Sequence, residues 1–224
     1  MREKGNVNFT FYVIELFVVF LGVTAGFLLN TWREGYIESK LEEKYLISFY
    51  DDIITDKDDL DSLIISSEKK AEKLLNILKE TSAGKIPLSK NYAQEILAEI
   101  LQIEWFSPSN DTYEDIISSG NLNLISDYKI KRKICSYYKF QKELKSVEKY
   151  YLDHMNNYVF PIIYKNYDLG GKRFTTKQSY QSLEFSNMYI ALLAFINQNN
   201  KTYNEIIVKN CELKDDLVKV LNID

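Results

Sequence analysis

An apolar stretch near the start of the chain constrains the fold most. Residues 11–32 read FYVIELFVVFLGVTAGFLLNTW and contain a single charged side chain, Glu15. As a helix with a rise of about 1.5 Å per residue, the stretch is about 33 Å long, close to the bilayer hydrocarbon core of about 30 Å. Tyr12 and Trp32 lie at its two ends, where aromatic rings prefer the headgroup region. The sequence therefore predicts a transmembrane helix with these two residues as interfacial anchors and the lipid bilayer as its surroundings.

Two other structures are compatible with an apolar stretch of this kind. A secretory signal peptide has an apolar core of roughly 7 to 15 residues followed by small residues at a cleavage site. The present stretch continues for about 20 residues, the length that spans a bilayer, and it ends in NTWRE. A buried helix of a soluble protein is the second alternative. The spanning length favours the membrane helix over both.

Small and polar residues of the apolar stretch share one face of the predicted helix. At about 100° per residue they fall within an arc of roughly 80°, whereas the bulky Phe and Leu residues mostly lie elsewhere. Lipid provides no hydrophobic drive for helix association, which then depends on close backbone packing at small residues and on interhelical hydrogen bonds. We therefore expect this face to be the interface of a homo-oligomer. The face, called the small-polar face below, consists of Glu15, Val19, Gly22, Gly26, Asn30 and Arg33.

Glu15 has two interpretations. An ionised carboxylate is strongly disfavoured against lipid, so it should be protonated, near the interface or turned towards another helix. The functional interpretation is a hydrated or proton-responsive centre in a helix cluster. The alternative is that Glu15, about one turn inside the boundary, reaches the headgroups and has no further role. Thr24 and Thr31 lie on the opposite face, where their hydroxyls can bond to carbonyls of their own helix.

The charges that flank the stretch bear on its orientation. Arg2 and Lys4 precede it, and Arg33, Lys40 and Lys44 follow it. Cytoplasmic flanks carry the excess of Lys and Arg, and here the comparison is close to a tie. We favour an N-terminus on the inner side.

Beyond the membrane segment the chain has the apolar spacing of long amphipathic helices. Apolar residues recur every three or four positions over 37–53, and neither Pro nor Gly occurs between residues 35 and 84. The spacing predicts that the transmembrane helix continues directly into a coiled-coil-like stalk. The segment TDKDDLDS at 55–62 indicates an N-cap and a break, and SAGKIP at 82–87 indicates a loop.

Local signals place the remaining elements. We expect a helix over about residues 89–104 and a short helix over 112–118 that ends at Gly120 with a positive φ. Ser126 and Asp127 are candidate caps of a long helix that is broken near Pro161. Residues 167–186 read as a loop or small hairpin, and one or two helices follow from about 187. The predicted fold class is all-α: a tail (1–10), one N-terminal transmembrane helix (11–32) and a helical bundle domain with long helices (33–224).

Three blocks of the sequence resemble a known group of proteins. They read IELFVVFLGVTAGFLLNTWRE (14–34), EEKYLISFYDDIITDKDDL (42–60) and TYEDIISSGNLNLISD (112–127). The chain resembles a widespread group of uncharacterised bacterial single-pass membrane proteins, filed as domains of unknown function. The resemblance implies an anchored helical architecture in the bacterial inner (cytoplasmic) membrane. The matching positions are Glu15, Gly22, Asn30, Trp32, Tyr113 and Gly120.

Motifs for catalysis or metal binding are not found in the sequence. The single histidine, His154, has no second histidine with which to form a multi-His metal site, and neither GxxxxGK[ST] nor GxGxxG occurs. Six aspartates lie in residues 51–61, but the Gly and Glu of the helix-loop-helix calcium site are missing, which favours a solvated helix face. Cys135 and Cys211 fit either two reduced thiols or one disulfide. We predict no catalytic residue, no cofactor-binding residue, no metal site and no cofactor.

The charge of the chain argues against general nucleic-acid binding. The formal net charge is -4, whereas backbone phosphates require clustered Lys and Arg. The only dense basic run is KIKRK at 129–133, which we interpret as a solvated helix face.

Two function classes follow from the sequence. The first is a non-enzymatic homo-oligomer in the membrane, whose helical domain couples a ligand or protein partner to the transmembrane cluster as an effector or channel-like protein in stress or antiviral response. The second is a membrane-tethered scaffold or interaction module without pore activity.

Overall fold

The fold is almost entirely helical, which confirms the predicted class. The computed structural model describes residues 9–84, 90–176 and 181–223. The helices are α1 (Phe9–Ser82), α2 (Lys90–Leu101), α3 (Asp111–Ser118), α4 (Tyr128–His154), α5 (Phe160–Asn166) and α6 (Leu183–Leu221). A 3₁₀ turn spans Asn121–Leu124, a π-helical segment spans Met155–Val159, and the strands β1 (Tyr167–Asp168) and β2 (Arg173–Phe174) form an antiparallel hairpin.

Helix α1 is a single rod that joins the apolar segment to the helical domain. Its 74 residues give a length of about 110 Å at about 1.5 Å per residue. The predicted continuation of the apolar helix into the domain is confirmed, but the predicted break at 55–62 is wrong. Asp56, which lies in this segment, is fully buried and bonds to groups outside α1, so it does not compete with the helix backbone.

Helix α6 packs antiparallel along α1. Near one end the Asn210 amide donates to the Ile53 carbonyl at 2.5 Å, and further along Ser67 Oγ lies 2.6 Å from Asn200 Oδ1. Residue numbers therefore rise on α1 as they fall on α6. The C-terminal end of α6 lies beside the part of α1 that follows the apolar segment.

Two apolar clusters form the core of the domain. The proximal cluster, nearer to the apolar segment, includes Phe49, Ile53 and Leu60 of α1, Ile134 and Tyr138 of α4, and Leu213 of α6. The distal cluster includes Leu74 of α1, Ile96 of α2, Val159 of the π-helical segment, and Tyr189 and Leu192 of α6. On three helices a buried polar residue falls between the two clusters. These residues, Lys70 on α1, Glu148 on α4 and Asn199 on α6, form a polar layer across the bundle.

Several predicted boundaries are confirmed because their signals are local. Gly120 follows α3 with φ 73°, in the left-handed region where glycine is favoured. Asp127 caps α4 by accepting hydrogen bonds from the backbone N–H groups of Lys129 (2.7 Å) and Ile130 (3.1 Å). Helix α1 ends at Ser82 as expected, whereas part of the predicted 82–87 loop lies outside the described residues.

The predicted break near Pro161 takes a different form. The chain changes from α to π geometry over Met155–Val159 and then resumes as α5, with Pro161, which has no backbone N–H to donate, in its first turn. The predicted hairpin is confirmed by the pairing of Tyr167 with Phe174. The final helix is single and begins at Leu183.

Candidate functional site

The apolar segment of α1 lies outside the helical domain. Its most apolar window has a mean hydropathy of 2.2, and none of that window is buried against the rest of the described chain. By length and composition, α1 is therefore able to cross a membrane. The alternative of a buried core helix would need packing contacts that the described residues do not make.

The small-polar face is fully accessible along this segment. A Cβ atom added at Gly22 or Gly26 would meet no described atom within 4 Å apart from the adjoining residues and backbone of its own helix. Asn30 is engaged within α1, because its Nδ2 donates to Glu34 Oε1 at 2.8 Å. Glu15, Val19 and Arg33 are exposed. The structure places all six residues on one helix and brings none of them against another element, so their role as an interface stays a prediction.

The predicted anchors are exposed and have aromatic neighbours. The Tyr12 ring lies edge-on to Phe11 at 6.1 Å between centroids, and the Trp32 ring stacks on Tyr36 at 6.4 Å. These pairs form an aromatic group at each end of the apolar segment, the arrangement expected at membrane interfaces.

The hydroxyls opposite the small-polar face bond to their own helix, as expected. Thr24 donates to the Phe20 carbonyl at 2.8 Å, and Thr31 donates to the Phe27 carbonyl at 3.0 Å. Neither hydroxyl therefore needs a partner from another helix.

A short exposed neck separates the apolar segment from the domain. Residues 33–40 of α1 are all exposed, and the first buried residue is Tyr45. Glu42 Oε1 accepts hydrogen bonds from both the backbone N–H (2.7 Å) and the hydroxyl (2.8 Å) of Ser126. The contacts between α1 and the rest of the domain therefore begin at about Glu42.

The segment between α2 and α3 is held by three buried ionisable side chains. This segment, residues 102–110, is called the pinned loop below. Lys70 Nζ donates to the Gln102 carbonyl, Glu148 Oε1 accepts from the Phe106 backbone N–H at 2.9 Å, and Asp56 Oδ1 accepts from the Ser109 backbone N–H at 2.7 Å. These three side chains are called the pins below. Two of them, Asp56 and Lys70, belong to α1, the helix that carries the apolar segment.

Asp56 connects four parts of the domain. Its side chain is fully buried, and Oδ2 accepts from Tyr137 Oη and from Gln141 Nε2, both at 2.8 Å. Asn210 of α6 lies 3.2 Å from the same Tyr137 hydroxyl. Burial raises the pKa of the Asp56 carboxyl, against the opposing effect of its hydrogen bonds. A carboxyl in this position ties α1, α4, α6 and the pinned loop into one hydrogen-bonded group.

Glu148 and Lys70 place opposite charges in the polar layer. Each is only 8% exposed. Glu148 Oε1 also accepts from Tyr203 Oη at 2.8 Å, and burial raises the pKa of its carboxyl. Lys70 Nζ lies 3.3 Å from Tyr151 Oη, and burial lowers its pKa, which the Glu99 and Glu104 charges partly offset. Buried charges of this kind are costly unless bonded, so they fix the loop position specifically.

Sequence reasoning missed these three pins, because their partners are 32, 42 and 53 residues away along the chain. One signal for Asp56 was available. It occupies a position in the apolar stripe Phe49, Ile53, Asp56, Leu60, where a charged residue at core spacing indicates a buried polar group.

His154 is a partly buried residue at the end of α4. Its ring lies 4.9 Å from Phe195 and 5.1 Å from Tyr158 between centroids, and burial lowers its pKa. Within 9–84, 90–176 and 181–223, no group of three or more His, Cys, Asp or Glu side chains is placed to hold a metal ion. Cys135 and Cys211 are both free.

The basic run at 129–133 has a structural contact. Lys133 Nζ lies 2.7 Å and Lys129 Nζ 3.4 Å from Asp216 Oδ2 on α6. The interpretation as a purely solvated face is therefore too simple, since two of its lysines pair with the facing helix.

Comparison with known proteins does not assign the chain to a family. No family model, curated protein or solved structure matches the chain. The resemblance to bacterial single-pass membrane proteins stays a prediction, and the functional interpretation depends on the residues themselves.

Proposed function

We propose that the chain is a non-enzymatic single-pass protein of the bacterial inner membrane that self-associates through the small-polar face of α1. Its helical domain couples a ligand or protein partner to the transmembrane cluster, as an effector or channel-like protein. The observation that carries the proposal is the complete exposure of an apolar window on a helix that continues unbroken into the domain core.

The size of the exposed apolar surface supports a membrane location. More than a dozen large apolar side chains between Phe11 and Trp32 are about half exposed or more. Burial of one such side chain stabilises by about 1.5–3 kcal/mol, so the total exceeds the about 5–15 kcal/mol by which a domain is typically stable. Lipid is a suitable environment, because the segment has the length of the hydrocarbon core.

Continuity of α1 supports coupling. Asp56 and Lys70 hold the pinned loop, and the same helix extends through the neck at 33–40 into the apolar segment. A displacement of the loop that pulls on these side chains therefore acts on the whole rod. Interfaces between packed helices switch between discrete arrangements, which converts a small displacement into a change of the transmembrane cluster.

The proposal is tested with the full chain in bacterial membranes and in detergent. We expect the chain to stay in the membrane fraction after a carbonate wash and to form particles of more than one chain in detergent, measured by light scattering. A soluble chain or a monomeric particle would overturn the proposal. Ion leak from liposomes then separates the two function classes: oligomers that leak favour an effector, and oligomers that do not leak favour a membrane-tethered scaffold.

A further inference from the structure

An open cleft borders the pinned loop on the side that faces α4. Its volume is about 510 Å³, within the size range of small-molecule sites of about 300–1,000 Å³. The pinned loop, the first turn of α3, α4 and α6 all contribute to its walls. Glu148, Asn199 and Trp105 are the lining residues on which the ligand class depends.

Glu148 supplies a carboxylate oxygen at the cleft. Both hydrogen bonds of this side chain, from Phe106 and Tyr203, are accepted by Oε1. Within the described chain no hydrogen bond is made to Oε2. Glu148 therefore holds the loop through Oε1 and leaves Oε2 available as an acceptor for a ligand.

Asn199 supplies a second acceptor. Its side chain is only 7% exposed, and it lines both the cleft and a small cavity behind it. Its Oδ1 has no hydrogen-bond partner among residues 9–84, 90–176 and 181–223. This oxygen is enclosed by the protein, and buried polar atoms are nearly always paired, so an orphaned acceptor beside the cleft points to a ligand donor that it meets when the side chain turns towards the cleft.

The charges around the cleft favour a cation. The lining carries the carboxylates of Glu104, Asp111, Glu114 and Glu148 and the ammonium groups of Lys145 and Lys149, of which Lys145 acts on the Glu148 charge. Four carboxylates against two ammonium groups leave an excess of negative charge.

Aromatic and apolar walls complete the site. The Trp105 side chain is 59% exposed beside the cleft, and an indole face attracts ammonium and guanidinium groups. Ile103 and Leu152 add apolar surface for a short carbon chain.

We propose that this cleft binds a small organic cation, whose ammonium or guanidinium group donates hydrogen bonds to Glu148 and Asn199 and whose short carbon chain packs beside Trp105. The effect of this binding on the membrane segment rests on the proposed function, because the organic cation is the ligand class that the domain would couple to the membrane. Binding at the loop would act on α1 through the pins at Asp56 and Lys70.

The experiment uses the fluorescence of Trp105 in the full chain in detergent. The chain has two tryptophans, so Trp32→Phe leaves Trp105 as the only one and keeps an aromatic ring at the membrane end. Three five-carbon probes are titrated at equal ionic strength: cadaverine, 1,5-pentanediol and glutarate. We expect a saturable change in emission with cadaverine only. Saturation by glutarate, or no saturation by cadaverine, would overturn the proposal.

Two substitutions locate the site. Glu148→Gln keeps an oxygen that accepts from Phe106 and Tyr203 but removes the charge, and we expect cadaverine to bind at least about tenfold more weakly, as for a lost charged hydrogen bond. Glu143→Gln is the matched control, because Glu143 is exposed on α4 and does not line the cleft; its affinity should be unchanged. Equal affinity in wild type and Glu148→Gln would overturn the assignment, provided that circular dichroism shows both variants folded.

Failure of this inference is separable from failure of the proposed function. Particle mass is measured on the same detergent sample without any probe. An oligomer that does not bind cadaverine leaves self-association standing and removes the cleft, whereas a monomer that binds cadaverine removes self-association and keeps the cleft.

Discussion

The carboxylate of Asp56 accepts a hydrogen bond of 2.7 Å from the backbone N–H of Ser109, 53 residues further along the chain. This bond joins the C-terminal end of the pinned loop to α1, the helix that carries the apolar segment. The Asp56 end of the bond is fully buried, so water competes poorly for the carboxylate.

Asp56→Ala should be strongly destabilising. The substitution leaves the Ser109 N–H, the Tyr137 hydroxyl and the Gln141 amide without their acceptor. Each unsatisfied buried donor costs about 1–3 kcal/mol, so we expect a loss of roughly 3 kcal/mol or more. Urea unfolding of the full chain in detergent measures it. Asp58→Ala on the exposed side of α1 is the control and should change stability by less than about 0.5 kcal/mol; equal losses in both variants would contradict the buried network.

The same residue shows where sequence reasoning succeeds and fails. Gly120 and Asp127 were assigned correctly, because a left-handed glycine and an N-cap depend on neighbours within about four residues. In TDKDDLDS the same reasoning took Asp56 for part of a helix break. The aspartate-rich local sequence does not separate a capping aspartate from a buried one whose partners are 81 or 85 residues away; only the position of Asp56 at core spacing indicates its burial.

The apolar segment could be predicted from local sequence, whereas the cleft could not. The length of the segment and the arc of Gly22 and Gly26 follow from helical periodicity alone. The cleft requires Glu148, Asn199 and the pinned loop to meet, and this depends on the antiparallel packing of α6 on α1 and on the path of the loop. No local pattern records that packing, which explains why the apolar helix could be predicted from the sequence and the cleft could not.

Glu148→Gln should change how stability depends on pH. Burial raises the pKa of the folded carboxyl, so its stabilising contribution is present below the unfolded pKa and is lost as pH rises through the folded pKa. The glutamine keeps the acceptor for Phe106 and Tyr203 and has no such loss. Relative to wild type, the variant should therefore gain stability between pH 4 and pH 8. Urea midpoints at the two values measure this, and a variant whose disadvantage grows with pH would show that ionised Glu148 is stabilising.

Lys70→Met should loosen the pinned loop without lowering global stability. The methionine fills the buried volume and removes a charge whose pKa is lowered by burial, but it takes the ammonium donor away from the Gln102 carbonyl. Hydrogen exchange should become faster over residues 102–107, while the urea midpoint stays level or rises. Lys69→Met, at an exposed neighbouring position, should leave both unchanged. Unchanged exchange in the Lys70 variant would show that this pin does not hold the loop.

Leucine at Gly22 and Gly26 should weaken the proposed self-association of α1. The two positions have open space around them in the single chain, so the added side chains cause no strain within α1, and they keep the segment apolar. They prevent the close backbone approach that association in lipid requires. We expect at least about tenfold weaker self-association, or about 1.4 kcal/mol, measured by energy transfer between labelled chains in liposomes. The matched control replaces Thr24 and Thr31 by leucine on the opposite face, where both hydroxyls bond only to their own helix. Association that weakens in the threonine pair but not in the glycine pair would place the interface on the other side of the helix.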